Sequence, residues 1–472
     1  MKQMRNKSVL VLSVLLALTV ATGMSGARMR QSTHGRYVVA PPLEQAQKIY
    51  VSSAAQPSAN QPVAWLHYTE DEPASIHPVL RWSRVDGAVM YDVQVLERHE
   101  PDTAGQEAYY EPIVDTQRAY TNGIELALPD MFTGDVFYYR VCGLDLDGNP
   151  VSDYSDLERV PIDRMGYFVE KPTPLSAYNE GNGTVLLYPV YDWLAVPGAA
   201  SYELEILDGP PENPNGISPS EHRIDVYHPQ YAQQYDQKAR YGPHPFYWRV
   251  RALDSAGNPV GVYSDAQPFV TNPDADYEVA TYGDSISHGG GSVSYSPTDW
   301  DFSYQHYLDF PSVNLAESGN TSTMTRERFE KDVLPFHPRY LIILMGSNSL
   351  RNGEGASIVM KDMEAVRQKC LENGIRPVFL TVPPVNPANI KKSFDSETAD
   401  DWQFQFGRVN AYVRSHVHID ITPGMYDEKG ELRTELALDG LHLDPAGKQL
   451  MAAAINEAWP EITSLPDSAW EE

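Results

Sequence analysis

The amino-acid sequence predicts a multidomain protein in which two β-sandwich domains precede an α/β domain built on a parallel sheet. Two observations predict it. A pattern of strands and turns recurs at a period of about 110 residues, the size of a domain rather than of a solenoid repeat. After Pro273 the pattern changes to short apolar runs alternating with helical segments, which implies parallel strands joined by helices that cover both faces of one sheet. A length of 472 residues accommodates about three domains.

Residues 1–27 open with Lys2, Arg5 and Lys7, continue through an apolar run and reach Ser25-Gly26-Ala27. Basic, apolar and small residues in that order read as a secretory signal peptide cleaved after Ala27, or, if uncut, as an anchor of about 20 apolar residues. Residues 28–75 mix Ser, Ala, Gln and Pro with little periodicity and read as a flexible linker.

Residues 76–165 and 166–272 are the two repeats. Phe137-Tyr138-Tyr139-Arg140-Val141, Gly148-Asn149-Pro150-Val151 and Tyr154-Ser155-Asp156 recur as Phe246-Tyr247-Trp248-Arg249-Val250, Gly257-Asn258-Pro259-Val260 and Tyr263-Ser264-Asp265. Trp82 and Trp193 occupy equivalent places inside strand patterns, so both are expected in cores. The units resemble fibronectin type III or related immunoglobulin-like sandwiches. In the divergent stretch 227–241, the tyrosines and His228 are the candidates for a binding surface.

The α/β domain spans 276–463, with 464–472 as a C-terminal tail. Strands are expected at 277–282, 312–315, 339–345, 376–382 and 418–421, and helices from near Thr323 and over 356–373, 401–417 and 445–459. Ile358, Met363, Val366 and Leu371 lie on or near one face of the second of these helices. Pro445 suits a first helical turn. Residues 383–399 read as a loop shaping an acyl pocket.

Chemistry-bearing residues sit directly after these strands. Gly283-Asp284-Ser285 ends the first, placing a hydroxyl at the carboxyl edge of the sheet, where open α/β folds bind ligands. A serine hydroxyl needs a histidine base, a group to orient that base and donors for an oxyanion. Asp439 and His442 are three apart in one loop; Asn348 follows the third strand within Gly346-Ser347-Asn348-Ser349, and Gly319 follows the second. Asp444 competes with Asp439, and Asp284 reads as a partner for loop backbone. His288 stands too close to Ser285 in sequence to swing back onto its hydroxyl. His416 and His418 have no third metal ligand at a sensible spacing, and the 289–291 glycine run lacks the Lys-Ser/Thr of a phosphate loop.

The four blocks Gly283-Asp284-Ser285, Gly319, Gly346-x-Asn348 and Asp439-x-x-His442 resemble those of the SGNH (GDSL) hydrolase family, in the same order over residues 276–463. The resemblance implies a three-layer α/β/α fold and hydrolysis of esters without a cofactor or metal. It implies Ser285 as nucleophile, His442 as base and Asp439 as its orienter, with the Ser285 N–H, the Gly319 N–H and the Asn348 side chain as oxyanion hole. Asn320 and Ser349 depart from the aspartates usual at those places, which bears on the hydrogen bonds holding the oxyanion loops.

With 36 Lys and Arg against 64 Asp and Glu, the net charge of −28 argues against nucleic-acid partners, which require phosphate neutralisation. The resemblance implies an ester substrate as partner, and export together with sandwich modules points to an acylated polysaccharide or cell-envelope polymer, with membrane contact only through an uncut N-terminal segment. Cys142 and Cys370 fall in different domains and are expected as thiols. An exported carbohydrate esterase removing small acyl groups is the first reading, a lipase or general acylhydrolase the second, and a non-catalytic surface-binding protein the alternative from another class.

Overall fold

Residues 48–51, 60–101, 107–293 and 295–470 are described by the computed structural model of the chain. The signal segment and residues 28–47 and 52–59 of the linker lie outside the described residues.

The repeat in the sequence is a repeat in strand pairing. In the first unit β1 (Val79–Arg81) pairs with β4 (Gly123–Glu125), and β2 (Met90–His99), β3 (Tyr109–Ala119), β5 (Val136–Leu144) and β6 (Glu158–Pro161) form an antiparallel sheet in the order β3-β2-β5-β6. In the second, β7 (Val190–Asp192) pairs with β10 (Gln233–Tyr235). There β8 (Ser201–Leu207), β9 (Arg223–Tyr227), β11 (Phe246–Leu253), β12 (Pro259–Val260) and β13 (Gln267–Phe269) make the larger antiparallel sheet. Alternate strand residues turn inward onto one core per unit, with Trp82 in the first and Trp193 and Trp248 in the second, all fully buried. Asp145 and Asp254 take the same place in the two units, each accepting the N–H groups two and four residues on to set the Gly-Asn-Pro turn.

Two boundaries differ from the sequence reading. Residues 60–75, assigned to the linker, belong to the first unit: Trp65 N–H donates to the Arg81 carbonyl at 2.9 Å, Ser83 N–H to that of Val63 at 2.7 Å, and Ala74 is buried beside Ile162. They pair only at isolated points, so no alternation marks them. The tail also packs, with Trp470 buried against Tyr340 and its carbonyl accepting from Arg367 at 3.2 Å.

The α/β domain holds β14 (Val279–Gly283), β15 (Val313–Asn314), β16 (Tyr340–Leu344), β17 (Arg376–Leu380) and β18 (His418–Ile419), all parallel, in the order β15-β14-β16-β17-β18. The central strands β14 and β16 are buried along their whole length, β16 as its unbroken apolar run requires. The order reverses between β14 and β16, and at such a switch point the carboxyl ends of two strands diverge and leave a crevice. Helix Ala356–Glu372 buries Ala356, Val359, Met363, Val366 and Cys370, whereas Ile358 is exposed and Leu371 half-buried. The buried stripe follows a strict spacing of three and four, which passes one position away from both outliers. Residues 383–399 are not all loop. Asn386 accepts from the Asn389 N–H at 3.1 Å and caps helix Pro387–Phe394, whose proline sits at its first turn. The closing helix, expected to stop at Trp459, continues through Pro460 to Ser464.

The three parts are joined. Residues 185–187 of the second unit run parallel beside β15, with Leu187 N–H donating to Asn314 O at 2.9 Å and Asn314 N–H to Val185 O at 3.1 Å. This covers an otherwise open edge and places Leu187 and Tyr188 in the core of the α/β domain. Stretch 227–241, which supplied the candidates for a binding surface, is tied down: Tyr227 donates to Asp236, the Arg240 N–H to Leu187 O, and Tyr241 packs on Phe336 of the α/β domain. The first unit meets the α/β domain through the Tyr91 and Tyr295 hydroxyls, 3.0 Å apart, and an Arg84–Asp301 ion pair at 2.8 Å. Cys142 and Cys370 are free and buried.

Candidate active site

Ser285 owes its position to a glycine. At Gly283 the chain leaves β14 with φ +153°, and a Cβ there would lie 1.7 Å from the Leu344 carbonyl of the neighbouring strand. No other residue fits so close to backbone. Asp284 then caps the short helix Ser285–His288 by accepting the Ile286 N–H at 3.1 Å. Ser285 Oγ thus faces the crevice beyond the sheet, and the side chain is nearly enclosed at 4% exposure.

From the far end of the domain the loop 439–442 reaches the same place. His442 Nε2 lies 2.9 Å from Ser285 Oγ, and His442 Nδ1 lies 2.9 Å from Asp439 Oδ2. An ionised carboxylate accepts only, so Nδ1 carries the proton and Nε2 is free to accept from the serine. Asp439 is itself fixed, its Oδ1 accepting the N–H groups of Leu441 and His442 at 2.8 Å each. Gly440 turns this loop with φ +80° against the Asn386 carbonyl, and the Phe394 ring stands edge-on to His442 at 5.9 Å.

The rival Asp444 does other work. Its two oxygens accept the N–H groups of Ser292 and Leu438 at 2.9 and 2.8 Å, tying the glycine loop to the His442 loop. Burial, with the charge of Asp439 beside it, pushes its carboxyl up to about 7. One turn on, the buried ammonium of Lys448 donates to Ile286 O at 2.9 Å, and burial lowers it to about 8. Burial likewise pushes Asp284 up to about 6.

Asn348 stands at the end of β16, in the first turn of helix Ser347–Arg351. Its Nδ2 donates to Asn320 O at 3.0 Å and its Oδ1 accepts from Arg351 Nε at 3.3 Å, so the amide is held with its donors turned toward the loop after β15. Gly319 lies in that loop at φ +86°. The two departures from the family pattern have partners of their own. Asn320 accepts from Arg328 Nε at 2.6 Å and donates to Glu317 at 3.1 Å, while Ser349 Oγ accepts the Ser322 N–H at 3.0 Å.

Sequence reasoning missed two residues that hold this loop. Arg328 is buried and donates to the carbonyls of Gly283 at 2.7 Å and Leu315 at 2.6 Å, and it is paired with Asp332 at 2.9 Å. Its spacing of four from Asp332 was the available signal. The other is His288, which is buried between the loop and the second β-unit. His416 and His418 lie at the end of helix Trp402–Val413 and the start of β18, with ring nitrogens facing backbone carbonyls; among the described residues no cluster could hold a metal ion.

The arrangement can pass a proton from a serine hydroxyl to a buried imidazole whose other nitrogen is anchored on a carboxylate, which is what nucleophilic attack on a carbonyl requires. Comparison with known proteins bears on the domain that carries it. Residues 281–450 match the family described as GDSL-like Lipase/Acylhydrolase. No curated protein matches the chain significantly. Among solved structures, part of the chain is similar to a GDSL-like lipase from Bacteroides thetaiotaomicron, at 20% identity over 40% of this chain and 90% of the other, with a TM-score of 0.32. It is also similar to a lipase/acylhydrolase from Enterococcus faecalis, at 21% identity over 39% and 95%, TM-score 0.31. An acetyl xylan esterase is 21% identical over 38% and 98%, TM-score 0.31. By the family match, residues 281–450 are a GDSL-like lipase/acylhydrolase domain.

Proposed function

We propose that the chain is an exported serine esterase that removes small acyl groups from a carbohydrate. The observation that carries the catalytic part is the unbroken hydrogen-bond chain from Asp439 through His442 to Ser285. In the proposed cycle Ser285 Oγ attacks the ester carbonyl while His442 Nε2 takes its proton. The oxyanion is met by the Ser285 N–H, the Gly319 N–H and Asn348 Nδ2, and the imidazolium returns the proton to the departing alcohol. Water then attacks the acyl-enzyme with His442 again as base, releasing the acid and restoring the serine.

Burial supports the preference for small groups. Ser285, His442 and Asn348 are each 4% exposed or less, and Phe394 stands against the imidazole, so little room is open for a long chain in this conformation. The order of basic, apolar and small residues in 1–27 supports export, and the two antiparallel units are read as fibronectin type III-like modules that present the esterase domain to a polymer. The test is hydrolysis of p-nitrophenyl acetate, butyrate and decanoate by wild type and Ser285→Ala. The proposal predicts acetate turnover that falls with chain length and disappears in the variant. Fastest turnover of decanoate would make the enzyme a lipase, and turnover persisting in Ser285→Ala would remove the nucleophile.

A further inference from the structure

Where the two antiparallel units meet, away from Ser285, lies a cavity of about 320 Å³ that the esterase reading does not use. Its walls are apolar and aromatic, from Tyr167, Phe168, Val196, Pro197 and Val262, and Glu125 from β4 lines it as well. Two features mark it as built for a ligand.

The first is the carboxyl. Glu125 is 7% exposed, yet among the described residues its Oε2 has no hydrogen-bond partner. Buried polar atoms are satisfied in folded proteins almost without exception, because each orphan costs about 1–3 kcal/mol. An orphan on a cavity wall is a group waiting for a partner. Burial, with the Glu170 charge added, pushes this carboxyl up to about 8, so near neutral pH it is protonated and can both donate and accept.

The second is the aromatic wall. Tyr167 is 92% exposed and Phe168 36%, on the segment that links the units, with apolar neighbours on either side. Large rings left in water beside a cavity, with a few polar groups converging on it, are the mark of a small-molecule site.

Charge narrows the ligand. The ionisable groups at the rim already face partners: His77 lies 3.5 Å from Glu170, and Lys171 is paired with Asp265 at 2.7 Å. Among the described residues lining the cavity no unpaired cation awaits an anion, and its one exposed carboxylate, Glu170, already faces His77. What remains is an uncharged molecule with an apolar face to lie on a ring and hydroxyls to meet a carboxyl. We infer that the cleft between the two β-units binds a neutral sugar residue, stacked on Tyr167 and hydrogen-bonded to Glu125. This site is separate from Ser285 and stands whether or not the chain is an esterase.

The test is calorimetric titration of the full chain at pH 6 with xylohexaose, cellohexaose and N-acetylchitohexaose. None of these carries an O-acyl ester, so turnover does not interfere. Expected is binding of at least one, weakened about tenfold or more by Tyr167→Ala, which is too exposed to unfold the protein, and abolished by Glu125→Leu. Hydrolysis of p-nitrophenyl acetate should be unchanged by Tyr167→Ala. Failure of all three sugars to bind would overturn the inference, as would binding unaffected by Tyr167→Ala, or saturation by butylammonium in place of sugar.

Discussion

His288 Nε2 lies 2.7 Å from the backbone oxygen of Tyr188, a residue of the second β-unit a hundred positions upstream. A carbonyl only accepts, so Nε2 carries the proton, and Nδ1 is left to accept from the Ser318 N–H at 3.2 Å and hydroxyl at 2.8 Å. Burial lowers this imidazole to about 4, which keeps it neutral at working pH. One ring thus fastens the loop bearing Gly319 to a different unit of the chain.

Replacing that ring should loosen the loop without touching Ser285. His288→Ala leaves the Tyr188 carbonyl and the Ser318 N–H unpaired, at about 1–3 kcal/mol of stability. The expected outcome is a folded enzyme with a lowered Tm, kcat down about tenfold or more, and KM little changed, because an oxyanion donor acts on the transition state. Unchanged kcat would show that the loop holds itself.

The same junction predicts that the hydrolase domain does not stand alone. A chain beginning at residue 276 loses the backbone pairing of 185–187 to β15, the buried side chains Leu187 and Tyr188, and the hydrogen bond from the Tyr188 hydroxyl to Asp332 at 2.7 Å. It should be insoluble or melt far below the full chain, measured by circular dichroism. A chain beginning at residue 172 should keep the fold. Equal melting temperatures for the two would refute the prediction.

The oxyanion assignment rests on Asn348. Asn348→Ala should fold and lose roughly a hundredfold or more in kcat, as removal of one such donor costs about 2.7–4 kcal/mol in the barrier. Steady-state kinetics on p-nitrophenyl acetate decide it, and full turnover would mean that Asn348 only braces Asn320.

Stability should fall as pH rises through the mildly acidic range. Asp284 and Asp444, pushed up to about 6 and 7, hold protons in the folded state that the unfolded chain has released above about 4. Their contribution is therefore full below pH 4 and is lost as pH climbs through 6 and 7. Glu125, pushed up to about 8, adds to this fall and His288, lowered to about 4, opposes it, so urea unfolding at pH 5 and 7.5 should show a net drop of which about 1 kcal/mol disappears in Asp284→Asn. An equal drop in wild type and Asp284→Asn would contradict the buried, protonated state of this acid.

How much of this could be read from the sequence depends on how local each feature is. Ser285 and Asn348 were legible because each follows a strand at a glycine turn, forced by contacts such as Gly283 against Leu344, and the Asp439–His442 pair because its two members stand three apart in the loop before the closing helix. The paired turns at Asp145 and Asp254 made the repeat legible in the same way. The attachment of 185–187 to β15 was not, because Val185-Leu186-Leu187-Tyr188 reads equally well as the opening strand of the second repeat and its partner lies over 120 residues away. The bracing role of His288 was hidden for a similar reason: its partners are a distant carbonyl and a loop serine. Helix Pro387–Phe394 was legible and overlooked, since Asn386-Pro387 is an N-cap followed by a first-turn proline.

The central claim is that the hydroxyl of Ser285 is activated by His442, and covalent trapping measures it directly. Full-length protein treated with a fluorophosphonate should gain the mass of one adduct, mapped by peptide mass spectrometry to Ser285, with labelling absent in Ser285→Ala and slowed at least a hundredfold in His442→Ala. Labelling of another serine, or labelling of Ser285 at an unchanged rate without His442, would contradict it.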